Sequence, residues 1–101
     1  MNLRNRVLIE GRLATNSALR TTPAGIEMIE GQIIHLSSQE ELGSTRKVEF
    51  EINFLAMGTI AQAISRLPQN TQLKCKGFLA AKNQRARNIL VLHIDAFELL
   101  N

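Results

Sequence analysis

The sequence of 101 residues contains no tryptophan, no tyrosine and only four phenylalanines. A surface that binds its ligand by stacking on many aromatic rings is therefore excluded. The single cysteine, Cys75, excludes an internal disulfide framework. No apolar run near the N-terminus reaches the length of a signal-peptide core, and none in the chain approaches the roughly 20 residues of a membrane span. We expect a cytoplasmic protein without membrane association.

Groups that support catalysis are also scarce. Neither G-x-x-x-x-G-K-[ST] nor G-x-G-x-x-G, the phosphate-binding loops, occurs in the sequence. His35 and His93 have no Cys, His or Asp at metal-ligand spacing. Cys75 stands between apolar residues of a predicted strand, a pattern typical of a buried structural thiol. We therefore expect that the protein is not an enzyme and that it binds no metal, no cofactor and no small-molecule substrate.

The composition is that of one folded domain. The chain is 45% hydrophobic and 21% charged, whereas disordered chains are far less apolar. Because domains commonly have about 100–150 residues, residues 1–101 are expected to form a single domain.

Charge is distributed unevenly along the chain. Residues 52–94 contain six basic and no acidic side chains, whereas residues 24–51 contain six acidic and two basic ones. Such polarisation suits a polyanionic partner. It is equally typical of a soluble basic protein with ordinary surface lysines, so charge alone leaves both interpretations open.

Apolar residues that alternate with polar ones predict a mainly β structure. Five strands are expected, at about Arg6–Leu13, Ile26–Ser37, Arg46–Met57, Gln72–Ala81 and Ile89–Leu99. Between Gly58 and Pro68 the apolar spacing becomes helical, with Thr59 as the expected cap. Residues 39–44 are predicted to be a polar connection. This order is that of the OB fold, an all-β, five-stranded Greek-key barrel, here with one short helix between strands three and four.

The second and fifth predicted strands carry apolar residues on both faces. We expect both faces of these strands to be covered. Because one small barrel has a single interior, the additional apolar surface predicts a homodimer.

The strongest functional feature is the basic loop at residues 82–88, which contains Lys82, Arg85 and Arg87 and no acidic residue. These cations continue an outward row on the fourth strand formed by Lys74, Lys76 and Phe78. The row can follow a phosphate backbone while Phe78 stacks on a base. Alternatively, Phe78 belongs to the core or to a dimer contact.

Several short motifs, in their order and spacing, resemble the primosomal replication protein N family, small bacterial relatives of single-stranded-DNA-binding proteins that act in replication restart. The similarity extends along nearly the whole chain. The motifs are Asn5-Arg6, Thr22-Pro23-Ala24-Gly25-Ile26, His35 with Ser37, Gln39-Glu40-Glu41-x-Gly43, Gly77-Phe78-Leu79, Leu90-Val91-Leu92-His93 and Glu98-Leu99.

The resemblance implies an OB-fold homodimer that binds single-stranded DNA (ssDNA) without strong sequence preference. It also implies docking to the restart helicase, transfer to a helicase-loading protein, and no catalytic activity. In the family, DNA contacts come from strands two and three and from the hairpin between strands four and five. The cations that match these regions here are Arg20, Arg46, Lys82, Arg85 and Arg87. Together with Lys47 and with Lys74, Lys76 and Phe78 of the outward row on the fourth strand, they are the candidate ssDNA-binding residues.

Three positions depart from the family pattern. Glu49 stands where the best-known members have a stacking tryptophan, Ser44 replaces a nearby aromatic residue, and Leu36 replaces a cation. Loss of one stacking ring removes about 1–3 kcal/mol of binding free energy. Binding that depends on cations alone, with a steep salt dependence, is one expected consequence. The other is a protein-interaction adaptor in which the acidic residues 24–51 bind proteins and nucleic-acid binding is incidental.

Two further interpretations remain open at this stage. An RNA-binding OB domain fits the same residues, because such a groove contacts backbone and bases in either polymer. A general single-stranded-DNA-binding protein normally carries a flexible tail with an acidic end. This chain ends at Asn101, directly after the last predicted strand, which favours a compact accessory factor.

Overall fold

A closed five-stranded barrel forms the body of the protein. The computed structural model describes residues 2–16 and 18–100. Within them lie β1 (Val7–Asn16), β2 (Arg20–Thr21), β3 (Glu27–Glu41), β4 (Ser44–Met57), α1 (Thr59–Ser65), β5 (Gln72–Ala81) and β6 (Leu90–Leu99). The strands are hydrogen-bonded in the order β1-β5-β6-β4-β3-β2, and a further β1–β3 pairing closes the barrel. The predicted OB fold, with its helix between the third and fourth barrel strands, is confirmed.

The barrel interior follows from the alternation of apolar residues. Every second residue of β1 and β5 points inward, so that Leu13, Leu73 and Cys75 are fully buried. Burial raises the pKa of the Cys75 thiol to about 11, because the thiolate loses its hydration. Cys75 is therefore a protonated core residue at neutral pH. The other buried hydrophobic residues are Ile29, Ile33, Phe54, Ala56, Ala61, Ile64, Leu92 and Ile94.

Strand β1 belongs to both halves of the barrel. Its first half pairs with β5, from Val7 opposite Gly77 to Arg12 opposite Gln72. Its second half pairs with β3, from Arg12 opposite Ile34 to Asn16 opposite Gly31. Where the pairing changes partner, a Cβ atom at Gly11 would lie 2.5 Å from the carbonyl oxygen of Ile34. Only glycine permits this approach of the two backbones.

The β3–β4 hairpin is longer than predicted. The expected connection at residues 39–44 is instead a continuation of both strands, joined by a two-residue turn at Leu42 and Gly43. Both turn residues have positive φ, 52° and 77°, as the type I′ hairpin turn requires. Backbone pairing does not need an apolar face, so the polar residues near the turn did not end the strands. The hairpin has a distal part, residues 36–49, which we call the arm.

Other boundaries also differ from expectation. Strand β1 continues to Asn16, and β2 is a short strand not predicted, in which Arg20 lies opposite Met28. Ser17, which follows β1 in the sequence, lies outside the described residues. The N-cap of α1 is Gly58, with no side-chain cap hydrogen bond, so the prediction of Thr59 as the cap is wrong.

The two strands predicted to be covered on both faces are fully buried on one face only within this chain. On β3, Ile33 lies on the core face, whereas Leu36 on the opposite face is 63% exposed. On β6, Leu92 lies on the core face, whereas Val91 and His93 on the opposite face are half-buried. No helix in residues 2–16 and 18–100 is long and apolar enough to cross a membrane.

The motif Asn5-Arg6 has a structural role. The Asn5 side chain donates a hydrogen bond to the carbonyl oxygen of Leu79 (2.7 Å) and accepts one from its N–H (2.9 Å). Asn5 thereby continues the β1–β5 pairing to a residue that precedes the start of β1. Arg6 forms an ion pair with Asp95 at 2.7 Å, next to the register shift in the β5–β6 ladder. Their hydrogen bond, more than the attraction of charge, raises the pKa of Arg6 and lowers the pKa of Asp95.

Gly77 provides a test of this packing. A Cβ atom there would overlap the carbonyl oxygen of His93 across the β5–β6 ladder. We expect Gly77→Ala to lower the free energy of unfolding by about 3 kcal/mol, measured by urea denaturation. Gly43→Ala is the control, because nothing lies near the added Cβ and only the positive φ is unfavourable. It should cost about 1 kcal/mol. Equal losses in the two variants would contradict the proposed overlap.

Candidate nucleic-acid interface

The basic loop, residues 82–89, connects β5 to β6 and has a defined conformation. Its ends are joined by a hydrogen bond from the N–H of Lys82 to the carbonyl oxygen of Ile89, at 2.8 Å. Inside the loop, the Asn83 side-chain oxygen accepts hydrogen bonds from the N–H groups of Arg85 (3.0 Å) and Ala86 (2.9 Å). Asparagine is favoured here because its short side chain can satisfy the backbone of its own turn.

The three cations of the basic loop differ from all the other candidate cations in having no counter-charge. Lys82, Arg85 and Arg87 are exposed, and none forms an ion pair with a residue that the structure describes. A phosphate can therefore approach them without displacing a carboxylate. This loop, which the sequence identified, is the strongest positive feature of the described surface.

The remaining candidate cations are paired and lie in three other places. Lys74 and Lys76 on the outward face of β5 are 4.0 Å and 3.8 Å from carboxylate oxygens of Glu98. Arg46 and Lys47, in the arm, pair with Glu41 (3.2 Å) and Glu49 (3.8 Å). Arg20 on β2 pairs with Glu30 of β3. The structure thus does not gather all candidate cations into one patch.

A groove of about 390 Å³ adjoins the basic loop on the outer surface of β3 and β4. Lys82 and Val91 line one side, and Gln32, Asn53 and Glu30 line the other. Glu30 brings its partner Arg20 to the edge of the groove. Of the sequence-predicted residues, Lys82 lines this groove, and Arg20 is the ion-pair partner of the lining residue Glu30. We call this site the amide groove.

Gln32 and Asn53 were missed by sequence reasoning. They lie opposite each other in the β3–β4 ladder, and the Gln32 amide donates to the side-chain oxygen of Asn53 at 3.1 Å. Each is a polar residue at an outward position between apolar inward ones, which looks like ordinary strand alternation. Only the register of the two strands could have indicated that they form a pair.

Phe78 stacks on a neighbouring side chain. It lies outward on β5, opposite His93 of β6, and the two rings stack with centroids 4.9 Å apart. Phe78 remains 38% exposed. The outward pair Ala80 and Val91 connects this stack to the amide groove. One continuous outer face thus runs from Lys82 to Phe78.

The arm is fixed at its base by His35. The His35 Nδ1–H donates to the carbonyl oxygen of Glu10 at 2.6 Å, and Nε2 is 2.7 Å from the hydroxyl oxygen of Ser37. The imidazole also stacks on Phe50, with ring centroids 4.7 Å apart. His35 therefore links β3 to β1 and packs against Phe50.

A second groove, of about 720 Å³, lies on the outer face where the arm leaves β1. Its lining includes three carboxylates, of Glu10, Glu49 and Glu51, and one cation, Arg12, beside Ile34 and Leu36. We call it the acidic groove. Neither Glu10 nor Glu51 has an ion-pair partner among the described residues. Its charge disfavours phosphate and favours basic side chains.

The described residues contain no cluster of three or more His, Cys, Asp or Glu side chains that could hold a metal ion.

Most of the chain is similar in sequence to proteins of a known family. The family described as "Another single-strand binding protein family" matches residues 5–96. The replication restart protein PriB of Nitrosomonas europaea is 38% identical over 91 residues, which cover 90% of this chain and 83% of the relative.

Solved structures agree with this relationship. The PriB structure from Ralstonia solanacearum superimposes with a TM-score of 0.88 at 31% identity, and covers 98% of this chain and 100% of its own. The single-stranded DNA binding protein from Thermus aquaticus has a TM-score of 0.76 at 19% identity, over 97% of this chain and 50% of the other. The second likeness concerns the fold alone. With the barrel, the short helix and a sequence match over nine-tenths of its length, this chain belongs to the replication restart protein PriB family, within the single-strand binding proteins of OB fold.

Proposed function

We propose that this protein is a non-catalytic, cytoplasmic accessory factor of replication restart that binds ssDNA through the basic loop and the amide groove. The observation that carries the proposal is the set of three cations without counter-charge, Lys82, Arg85 and Arg87, beside a groove on the OB barrel. OB folds bind oligonucleotides on the outer face of their second and third strands, next to the loop between their fourth and fifth strands. In this chain these are β3, β4 and the basic loop.

The candidate cations are expected to contribute unequally. The loop cations are available at once, whereas Arg20 must exchange Glu30 for a phosphate. Lys74 and Lys76 share Glu98, and Arg46 and Lys47 each have a carboxylate close by. An exposed ion pair is worth only about 0–1 kcal/mol, so these residues can still join a complex at small cost. The loop is therefore the principal contact, and the others are secondary.

Salt dependence tests the role of the basic loop. Three phosphate contacts predict that log K falls with log salt at a slope of about −2, measured by fluorescence anisotropy on a labelled single strand. The variant Lys82→Gln/Arg85→Gln/Arg87→Gln should lose most of this slope and at least tenfold in affinity at low salt. An RNA strand and a DNA duplex of the same sequence are used as competitors. They show whether the protein prefers single-stranded DNA, RNA or duplex DNA.

The control for this experiment is Arg4→Gln/Arg12→Gln/Arg66→Gln, which lowers the net charge by the same amount. It should change affinity much less, because none of these three residues belongs to the basic loop or lines the amide groove. Equal losses in the two triple variants would show that only net charge matters and would refute the loop as the site.

A homodimer is part of the proposal. Leu8 on β1 is 60% exposed. It lies opposite Lys76 of β5, on the same outward face as Phe78. Exposed apolar side chains on neighbouring strands are the surface that a second copy buries. This placement also gives Phe78 an alternative to base stacking.

Dimerisation through this face predicts that Leu8→Asp yields monomers in sedimentation equilibrium at concentrations where the unaltered protein is a dimer. A buried carboxylate without a partner is strongly unfavourable in an interface. Leu42→Asp at the tip of the arm is the matched control, because Leu42 is fully exposed and lies in the turn. It should leave the dimer intact. A monomeric unaltered protein would contradict the proposed dimer directly.

The acidic groove favours a second candidate function, that of a protein adaptor whose nucleic-acid binding is weak or incidental. Its unpaired carboxylates and its exposed Leu36 suit a protein segment with basic and apolar side chains. The partners proposed are the restart helicase and the helicase-loading protein, and the relatives' name, replication restart protein, supports a role in restart.

The adaptor role predicts that Glu10→Gln/Glu51→Gln weakens helicase binding at least tenfold, measured by surface plasmon resonance, and leaves ssDNA affinity unchanged or slightly higher. The control Glu40→Gln removes an acidic residue of the arm outside this groove. Helicase binding by a protein without measurable ssDNA affinity at physiological salt would favour the adaptor over the DNA-binding function. Undiminished helicase binding by the double variant would exclude the acidic groove as the docking site.

A further inference from the structure

The Gln32–Asn53 pair occupies the floor of the amide groove, where a bound strand would place a base. The two side chains face each other across β3 and β4, and Lys82 of the basic loop lines the same groove. The only aromatic residue lining the groove is Phe54, whose side chain is 1% exposed and belongs to the core. A base in this groove therefore has amides, and no ring, as its main contacts.

The hydrogen bond between the two amides leaves a specific set of groups unused. With the Gln32 Nε2–H donating to Asn53 Oδ1 at 3.1 Å, the Gln32 oxygen is available as an acceptor and the Asn53 NH₂ as a donor. If both amides rotate by a half turn, the bond between them is retained with its direction reversed. Asn53 then offers the acceptor and Gln32 the donor. One donor and one acceptor thus remain available to a ligand in either arrangement.

Each nucleobase has a hydrogen-bond donor and an acceptor next to each other on an edge, and glutamine and asparagine bind adenine through such a pair of atoms. Adenine and cytosine present an amino donor beside a ring nitrogen, whereas guanine and thymine present a ring N–H beside a carbonyl oxygen. The order of donor and acceptor differs among the bases. An amide pair that can reverse its own order accommodates them all.

We propose that Gln32 and Asn53 hold one base of a bound single strand by its edge, without selecting among the four bases, while Lys82 contacts a neighbouring phosphate. This inference rests on the proposed ssDNA-binding function and names the contact that replaces ring stacking in it. Val91 on the opposite side of the groove supplies an apolar contact for the face of the base. The pair thereby explains how a chain with Glu49 and few aromatic residues recognises bases as well as phosphates.

The test compares strands with and without bases. Labelled homopolymers of dA, dC and dT, and an abasic strand of equal length, are titrated in fluorescence anisotropy against the unaltered protein and against Gln32→Ala/Asn53→Ala. The unaltered protein is expected to bind the homopolymers within about threefold of one another and the abasic strand about tenfold more weakly, as two neutral hydrogen bonds would give. The double variant should bind all four strands alike, at the affinity of the abasic strand.

Gln72→Ala is the matched control, because Gln72 is an exposed amide on β5 that does not line this groove. It should retain the full difference between base-bearing and abasic strands. Urea unfolding of the double variant verifies that its barrel is intact.

Other outcomes would overturn the inference in distinguishable ways. If the unaltered protein binds base-bearing and abasic strands equally, the amide pair has no base contact, although the basic loop still binds ssDNA. If the double variant keeps the tenfold difference, the base is recognised elsewhere. A preference above tenfold for one homopolymer would contradict the reversible pair. An unaltered protein that binds none of the strands would overturn the proposed function itself.

Discussion

Closure of the barrel depends on β1 dividing its backbone hydrogen bonds between two strands that belong to opposite halves of the sheet. The change of partner occurs at Arg12, which lies opposite both Gln72 of β5 and Ile34 of β3. It requires the β1 and β3 backbones to approach at Gly11 more closely than any side chain would allow. Because β1 closes the barrel, β6 is brought beside β4, where two residue pairs form a short parallel ladder. That ladder places the start of β6, and with it the basic loop, over Asn53 and Gln32. The amide groove is thus a consequence of how the barrel closes.

The arrangement of ion pairs determines which positive charges can act on a ligand. Twelve basic residues give only a small net charge of +3, and each candidate cation on β2, β5 and the arm pairs with a carboxylate. The three cations of the basic loop have none among the described residues. A count along the sequence identifies the loop because no acidic residue occurs between positions 52 and 94. It could not reveal that Lys74 and Lys76 share Glu98, since that residue lies on the neighbouring strand.

The features that the sequence predicted correctly are those determined by residues close to one another in the chain. Alternation at Val7, Ile9 and Leu13 fixes the inward face of β1, and the helical spacing near Ile64 places α1. The missed features depend on pairing between distant residues. The arm continues to a Leu42–Gly43 turn because a type I′ turn keeps the ladder in register, and a leucine at positive φ gives no compositional signal. Gln32 and Asn53 are 21 residues apart and become a pair only through the β3–β4 register.

The outer face of the hairpin changes character along its length, and this bears on whether DNA and protein partners compete. From Gln32 the same face continues through Ile34 to Leu36, whose cross-strand partners are Glu51 and Glu49. Leu36 lies four residues beyond Gln32, about 13 Å along the strand. This distance exceeds the Debye length of about 8 Å at physiological salt, so Glu49 hardly weakens the attraction of the basic loop for phosphate. Glu51, only two residues from Asn53, lies close enough to repel a phosphate and so limits how far a strand extends toward the arm. A strand bound at the amide groove, as proposed, would leave the acidic groove open, and we expect the same hairpin to accommodate DNA at one end and a basic protein segment at the other.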